Sequence, residues 1–303
     1  MENITLRQLR YFEALAQHRH FGRAAEMRGI SQPALSVQIK ELEETLGTPL
    51  FERTARQVRL TSFGEGFGAK VRDILRSVDE LEDFARAAQG HLTGRFRLGV
   101  IPTIAPYLLP GLIGDLGRSH PGLDLHVRET LTPRLIEELL RGELDTAIVA
   151  LPVLEPALAE LPLMEENFVL VRPEQDAAKP APTGEDLRQM RLLLLEEGHC
   201  FRDQTLAFCN APTAVPRDGL DGSSLSTLVQ MVGAGIGVTL IPEMAIDVET
   251  RSADVSCVAF GNPQPGRTIG MIWRKSSPLA GAFAEIGQVV QRAAAPLQKA
   301  GRC

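Results

Sequence analysis

Several features are missing from this chain, and each absence narrows what it can do. No stretch approaches the roughly 18 apolar residues that a membrane span needs, although 44% of the residues are hydrophobic, so a soluble protein with no membrane partner is expected. Four cysteines in 303 residues are too few for a secreted disulfide framework. No Cys-x-x-Cys motif and no zinc-ligand spacing occurs among them, so neither a metal nor a cofactor is expected. Met1 to Arg10 lacks the basic start and apolar stretch of a secretory signal, which points to the cytoplasm. An excess of positive charge is missing too. The formal net charge of -6 counts against nucleic-acid binding for the chain as a whole.

That charge is unevenly placed. Residues 1–60 carry nine Lys and Arg against seven Asp and Glu, a net +2, while residues 61–303 carry 23 against 31. Only the N-terminal part is suited to meet DNA. There, Leu6, Leu9, Tyr11, Phe12, Leu15 and Ala16 recur at helical spacing, and Phe21 to Arg28 predicts a second short helix stopped by Gly29. Ser31 is placed to cap a third helix, with Pro33 in its first turn, Leu35, Ile39, Leu42 and Leu46 on its buried face, and Gly47 as its stop.

Two helices joined by a short turn containing Gly form a helix-turn-helix, whose second helix enters the major groove N-terminus first. Gln32, Ser36 and Gln38 then face base edges, Lys40 a phosphate, and Pro33 and Ala34 a thymine methyl. Leu50 to Thr61 follows as a β-prone hairpin whose Arg53, Arg56 and Arg59 are spaced along a basic wing. An ordinary three-helix domain with a solvated basic hairpin accounts for the same residues less completely, since turn, cap and wing occur together and in order.

From Thr61 to about Gln89 the apolar positions Phe67, Val71, Ile74, Val78, Leu81, Ala85 and Ala88 alternate spacings of four and three, the pattern of a coiled-coil seam. The seam predicts a dimer. A lone amphipathic helix lying on its own domain is the alternative. The runs Ala24 to Ser36 and Leu46 to Arg53 closely resemble the DNA-binding domain of LysR-type transcriptional regulators, which implies double-stranded promoter DNA and RNA polymerase as partners.

After the polar break His91 to Gly94 the pattern becomes βαβαβ: strands at Phe96–Ile101, Leu123–Glu129 and Asp145–Leu151, helices at Ala105–Arg118 and Pro133–Arg141. A second series has strands near Phe168–Val171, Leu192–Leu195 and Gly237–Ile241, and helices near Arg202–Phe208 and Ser224–Gly233. The chain returns through Arg267 to Lys275 and a last helix. The expected architecture is a multidomain α+β and α/β protein. A winged helix-turn-helix occupies 1–60, a dimerising linker helix 61–90, and a two-lobed effector domain like the periplasmic binding proteins 91–303. Its lobes are 91–164 plus 268–303, and 165–267.

Ligands of open α/β sheets bind beyond the carboxyl ends of strands. Pro102-Thr103, Thr130 and Thr132, and Gly198-His199-Cys200 occupy those positions, although Thr103 and Thr132 serve equally well as helix N-caps. Cys200 precedes the helix near Arg202, where backbone N–H groups favour a thiolate with help from His199, Arg202 and Arg267, while Glu196, Glu197 and Asp203 oppose it. An inert buried Cys is the other reading. Cys209 is nine positions on, about 13 Å away if the segment is helical, and a disulfide needs Cα atoms within about 7 Å. Bonding the pair therefore requires the helix to unwind or move. Cys257 and Cys303 read as bystanders.

Val100 to Thr103, Leu194 to Gln204, Phe208-Cys209 and Arg267 to Gly270 resemble the peroxide-sensing branch of the LysR-type regulators, whereas Ala211 to Gly219 departs from its pattern. The resemblance implies Cys200 as the peroxide-reacting cysteine and Cys209 as the resolving one. It places Thr103, Thr132, His199, Asp203 and Arg267 around hydrogen peroxide, the signal. It further implies a homotetramer that rearranges on DNA and a thioredoxin- or glutaredoxin-type reductant. Two other readings share these residues: a regulator whose cleft binds a small organic anion, and a thiol peroxidase or disulfide reductase.

Overall fold

The structure, a computed structural model, describes residues 4–53, 58–88, 92–209, 221–262 and 264–300, and the chain divides into two compact units, Met1–Ala85 and Arg86–Cys303. In the first, α1 (Leu6–His18) begins at a capping box: Thr5 Oγ1 accepts from Gln8 N–H at 3.2 Å, and Gln8 Oε1 accepts from Thr5 N–H at 3.0 Å. α2 (Phe21–Met27) ends before Gly29, whose φ of +63° suits glycine. α3 (Gln32–Leu46) starts at Ser31, whose Oγ accepts from Ala34 N–H at 3.3 Å, and stops at Gly47.

β1 (Phe51–Arg53) and β2 (Val58–Leu60) pair antiparallel as the wing. Glu43 of α3 fixes the wing's base, its Oε1 accepting from the backbone N–H groups of Leu50 and Phe51. α4 (Ser62–Ala88) leaves directly from the wing, and Gly64 is needed there because a Cβ would strike the Leu50 carbonyl. Phe12, Leu15, Leu35, Ile39 and Leu42 form the core of this unit.

The seam along α4 divides in two, a correction to the heptad reading. Phe67, Val71 and Leu75 turn inward onto the three-helix core, with Phe67 edge-on to Phe12 at 5.1 Å between centroids. Ile74, Leu81 and Phe84 are exposed. The unit is too small to close its core with three helices alone, so the first turns of α4 complete it.

In the second unit β3 (Gly94–Val100), α5 (Ala105–Ser119), β4 (Leu123–Glu129), α6 (Thr132–Leu140) and β5 (Thr146–Leu151) form the expected βαβαβ, with β3 parallel to both β4 and β5. β6 (Leu158–Pro173) is far longer than its apolar end suggests. α7 (Gly184–Leu187), β7 (Leu194–Leu195), α8 (Cys200–Phe208), β8 (Asp221–Gly222), α9 (Leu225–Gly233), β9 (Thr239–Pro242), α10 (Ile246–Glu249), β10 (Val255–Ala259), β11 (Gly266–Arg274) and α11 (Ala280–Ala300) complete the order. β10 was not expected.

One seven-stranded sheet runs β10-β6-β11-β5-β3-β4, with β9 on the other side of β6. β6 and β11 are the crossing strands: Leu158–Asn167 of β6 pairs with β11, Phe168–Val171 with β9 and Val169–Pro173 with β10. A continuous apolar core therefore spans both lobes. Among the described residues no helix is long and apolar enough to cross a membrane.

Candidate functional site

The crevice of the second unit lies where three strands end. Ile101 to Thr103 follow β3, Leu131 and Thr132 follow β4, and Gly198 to Phe201 follow β7, enclosing about 180 Å³ including the open mouth. Gly198 is required on its wall: φ is +95°, and a Cβ would come within 3.0 Å of Leu131 Cδ1.

Cys200 is the first residue of α8, two positions earlier than the sequence predicts, and half-buried at the crevice. His199 is the N-cap residue without a side-chain cap bond, and partial burial pushes its imidazole pKa below the ordinary histidine value against the opposing pull of Glu196. It is a neutral neighbour at pH 7.

Neither threonine caps a helix, which decides between the two sequence readings. Ile104 and Leu131 hold the N-cap positions of α5 and α6, without side-chain cap bonds. Thr103 is buried, and its Oγ1 accepts from Arg267 Nη1 at 2.7 Å. Thr132 Oγ1 is buried in the crevice wall with no hydrogen-bond partner among the described residues. An orphaned buried hydroxyl costs about 1–3 kcal/mol.

Arg267 stands behind the crevice rather than in it. Its Nε donates to Glu166 Oε2 at 2.7 Å and its Nη2 to the Thr103 carbonyl at 3.1 Å, while its guanidinium carbon lies 5.7 Å from the Phe201 ring centroid. Glu166, absent from the sequence reading, is buried, and that burial raises its carboxyl pKa against the pull of Arg267 and the Met244 N–H. The only sequence signal for it is a carboxylate entering the apolar end of a strand.

Two expected assistants are elsewhere. Arg202 donates to the Leu195 carbonyl at 2.7 Å and pairs with Asp221 at 3.1 Å. Asp203, one helical turn beyond Cys200, is exposed and not part of the crevice lining. Cys209 follows α8, fully buried in the apolar core, and no disulfide joins it to Cys200. The helix separates the pair by about 13 Å at 1.5 Å per residue. The Pro-rich segment 211–219 and Cys303 lie outside the described residues; Cys257 is half-buried on β10.

On the first unit, Gln32, Pro33 and Ala34 are exposed at the start of α3, and Ser36 is half-buried. Gln38 donates its amide to Glu41 Oε2 at 2.6 Å, and Lys40 pairs with Glu44 at 3.4 Å. Arg53 closes β1 and Arg59 is exposed on β2, but Arg56 lies outside the described residues.

A winged helix-turn-helix followed by a long helix and a two-lobed α/β unit, with a thiol where the strands end, defines a one-component bacterial regulator: a reading head and a sensing domain on one chain. Family models agree unit by unit: the bacterial regulatory helix-turn-helix protein, lysR family, matches residues 6–65, and the LysR substrate binding domain matches residues 89–295. The chain belongs to the LysR family of regulators, in its OxyR-like branch.

A probable hydrogen peroxide-inducible genes activator of Streptomyces viridosporus is 43% identical, over 95% of this chain and 94% of that protein. Full-length OxyR from Pseudomonas aeruginosa, solved as a cysteine-to-aspartate variant, is 39% identical with a TM-score of 0.76, covering 96% of each chain. A cysteine-to-serine mutant of Corynebacterium glutamicum OxyR with hydrogen peroxide bound is 34% identical with a TM-score of 0.68, covering 99% of this chain and 95% of that one.

Proposed function

We propose that this protein is a cytoplasmic transcription regulator, not an enzyme, that converts hydrogen peroxide into a change of grip on promoter DNA. The carrying observation is the Thr132 hydroxyl, buried without a hydrogen-bond partner among the described residues, in the crevice that Cys200 also lines. Thr103 complements it. Because its oxygen already accepts from Arg267, its own O–H proton is directed elsewhere, and the crevice is where a donor is wanted. Arg267 is then a positioning residue acting through Thr103.

In the proposed step the Cys200 thiolate attacks one peroxide oxygen, the O–O bond breaks, and the departing hydroxide takes a proton from solvent to become water. Cys200 is left as a sulfenic acid. The Cys209 thiolate attacks that sulfur and expels a second hydroxide, which also leaves as water. The balance is two thiols and one peroxide giving one disulfide and two waters. A thioredoxin- or glutaredoxin-type dithiol reverses it.

The disulfide cannot form across an intact α8, so oxidation is coupled to a shape change. That change would re-space the paired reading heads of a homotetramer and alter contact with DNA and RNA polymerase. With only +2 over residues 1–60, useful DNA affinity has to come from such assembly.

Thiol peptide mapping before and after a brief peroxide exposure, with DNA footprints of both forms, tests the proposal. A Cys200–Cys209 linkage and altered footprints are expected; no linkage, or identical footprints, overturns it. Sustained catalytic peroxide turnover would instead favour a peroxidase, and a normal response from Cys200→Ser a metabolite sensor.

A further inference from the structure

We propose that Val37 is a base-reading residue, and that its partner is the 5-methyl group of a thymine in the major groove. The inference rests on the DNA-binding role of the first unit. Val37 is 53% exposed on α3, so its apolar β-branched side chain is left facing solvent. It lines an open hollow of about 500 Å³ with Pro33, Ala34, Gln38 and, from α1, Arg7 and Tyr11.

At 100° per residue Pro33, Ala34 and Val37 share one stripe along the first two turns of α3. That stripe is apolar and uncharged. On the following turns the same side carries Glu41 and Glu44, with Lys40 committed to Glu44. Carboxylates repel phosphates, so only the first two turns can enter a groove, which is the orientation a recognition helix adopts.

Within the major groove one feature of the bases is apolar, the methyl on C5 of thymine. Val37 projects furthest of the three stripe residues that can meet it, since Pro33 is tied to its ring and Ala34 is a single methyl. Across the hollow Arg7 is exposed and, among the described residues, forms no ion pair or hydrogen bond, leaving its charge available to a phosphate flanking the same base pair. The two residues should therefore leave different signatures: one specific to a base, one indifferent to sequence.

The test uses the reduced full-length protein and duplexes that it selects from random-sequence DNA. Each thymine of a selected site is replaced in turn by uracil, which removes the methyl and nothing else. Affinity should fall about fourfold at one thymine in each half-site, the factor expected for one buried methyl. Val37→Ala should erase that difference there and leave the effects at other thymines unchanged. Arg7→Ala should weaken all sites alike and reduce the salt slope by about one.

A uracil penalty that survives Val37→Ala at every position, or no penalty anywhere in the native protein, overturns the assignment of Val37 while leaving DNA binding intact. Failure to select any sequence over random DNA overturns the DNA-binding reading of the first unit, and this inference with it.

Discussion

Arg267 on β11 donates through Nη1 to Thr103 Oγ1 at 2.7 Å, joining a strand shared by both lobes to the loop that forms the crevice wall. The guanidinium also carries Glu166, with both side chains almost fully buried. Removing one member leaves a buried charge uncompensated. Arg267→Ala should therefore lower unfolding free energy by about 3–5 kcal/mol, measured by urea denaturation. The double replacement Arg267→Met with Glu166→Met should recover most of that loss, because both charges are gone. Its peroxide reaction should nonetheless stay slow, since the Thr103 hydroxyl has lost its orientation. A double variant as unstable as the single one would show that the ion pair is not the source of the effect.

Thr132 offers the opposite separation of stability from function. Its hydroxyl is buried without a partner among the described residues, so Thr132→Val removes an unsatisfied polar atom and keeps the shape. Stability should be unchanged or raised by up to about 1 kcal/mol, while the second-order rate of Cys200 oxidation falls at least tenfold. Stopped-flow intrinsic fluorescence or timed thiol trapping measures the rate. An unchanged rate would remove Thr132 from the peroxide site.

His199 should titrate below the free histidine value of about 6.5, because burial penalises its charged form. With the folded pKa lowered, the unfolded chain binds more protons in the window between the two values. Stability therefore rises with pH through that window and is complete above it. NMR titration of the His199 ring protons checks the direction, and a folded-state value at or above the free one would contradict it. His199→Gln should flatten that part of the stability profile.

Oxidation should dismantle α8. With the two cysteines at either end of nine helical positions, the linkage is incompatible with the helix. Hydrogen exchange after peroxide treatment should show lost amide protection over 200–209, while α5 and α11 keep theirs. Full protection in α8 alongside a mapped Cys200–Cys209 disulfide would overturn the coupling of the linkage to unwinding of the helix.

The split along α4 predicts two distinct phenotypes six residues apart. Leu75→Ala, in the core of the first unit, should cost about 2–5 kcal/mol and melt the head earlier. Leu81→Glu, on the exposed stretch, should leave folding and Cys200 reactivity intact while halving the solution mass and abolishing specific DNA binding. Analytical ultracentrifugation and footprinting distinguish them. A Leu81→Glu protein of native mass would place the oligomer contact elsewhere.

The head was legible almost residue by residue, because its signals are local: Ser31 caps, Gly29 and Gly47 stop, and Leu35, Ile39 and Leu42 repeat at helical spacing. The βαβαβ of the second unit was equally plain. The first half of β6 was not, since Ala159 to Asn167 mixes carboxylates with Pro162 and becomes a strand only by pairing with β11 about a hundred positions away. Val71 was misplaced for a related reason: helical periodicity gives the direction of an apolar stripe but not what covers it.

The residue pattern alone thus determined a helix-turn-helix head, an α/β sensing unit and two thiols separated by a helix. Only the tertiary structure decided that Thr103 and Thr132 are crevice hydroxyls rather than caps, that Arg202 turns to Asp221, and that Arg267 is anchored by Glu166. Caps, stops and periodicity act within a few residues, so sequence carries them directly. The contacts of Arg267 behind the crevice join positions 101 and 164 residues apart, and which of many possible long-range partners meet is settled by how the sheet closes and the core packs.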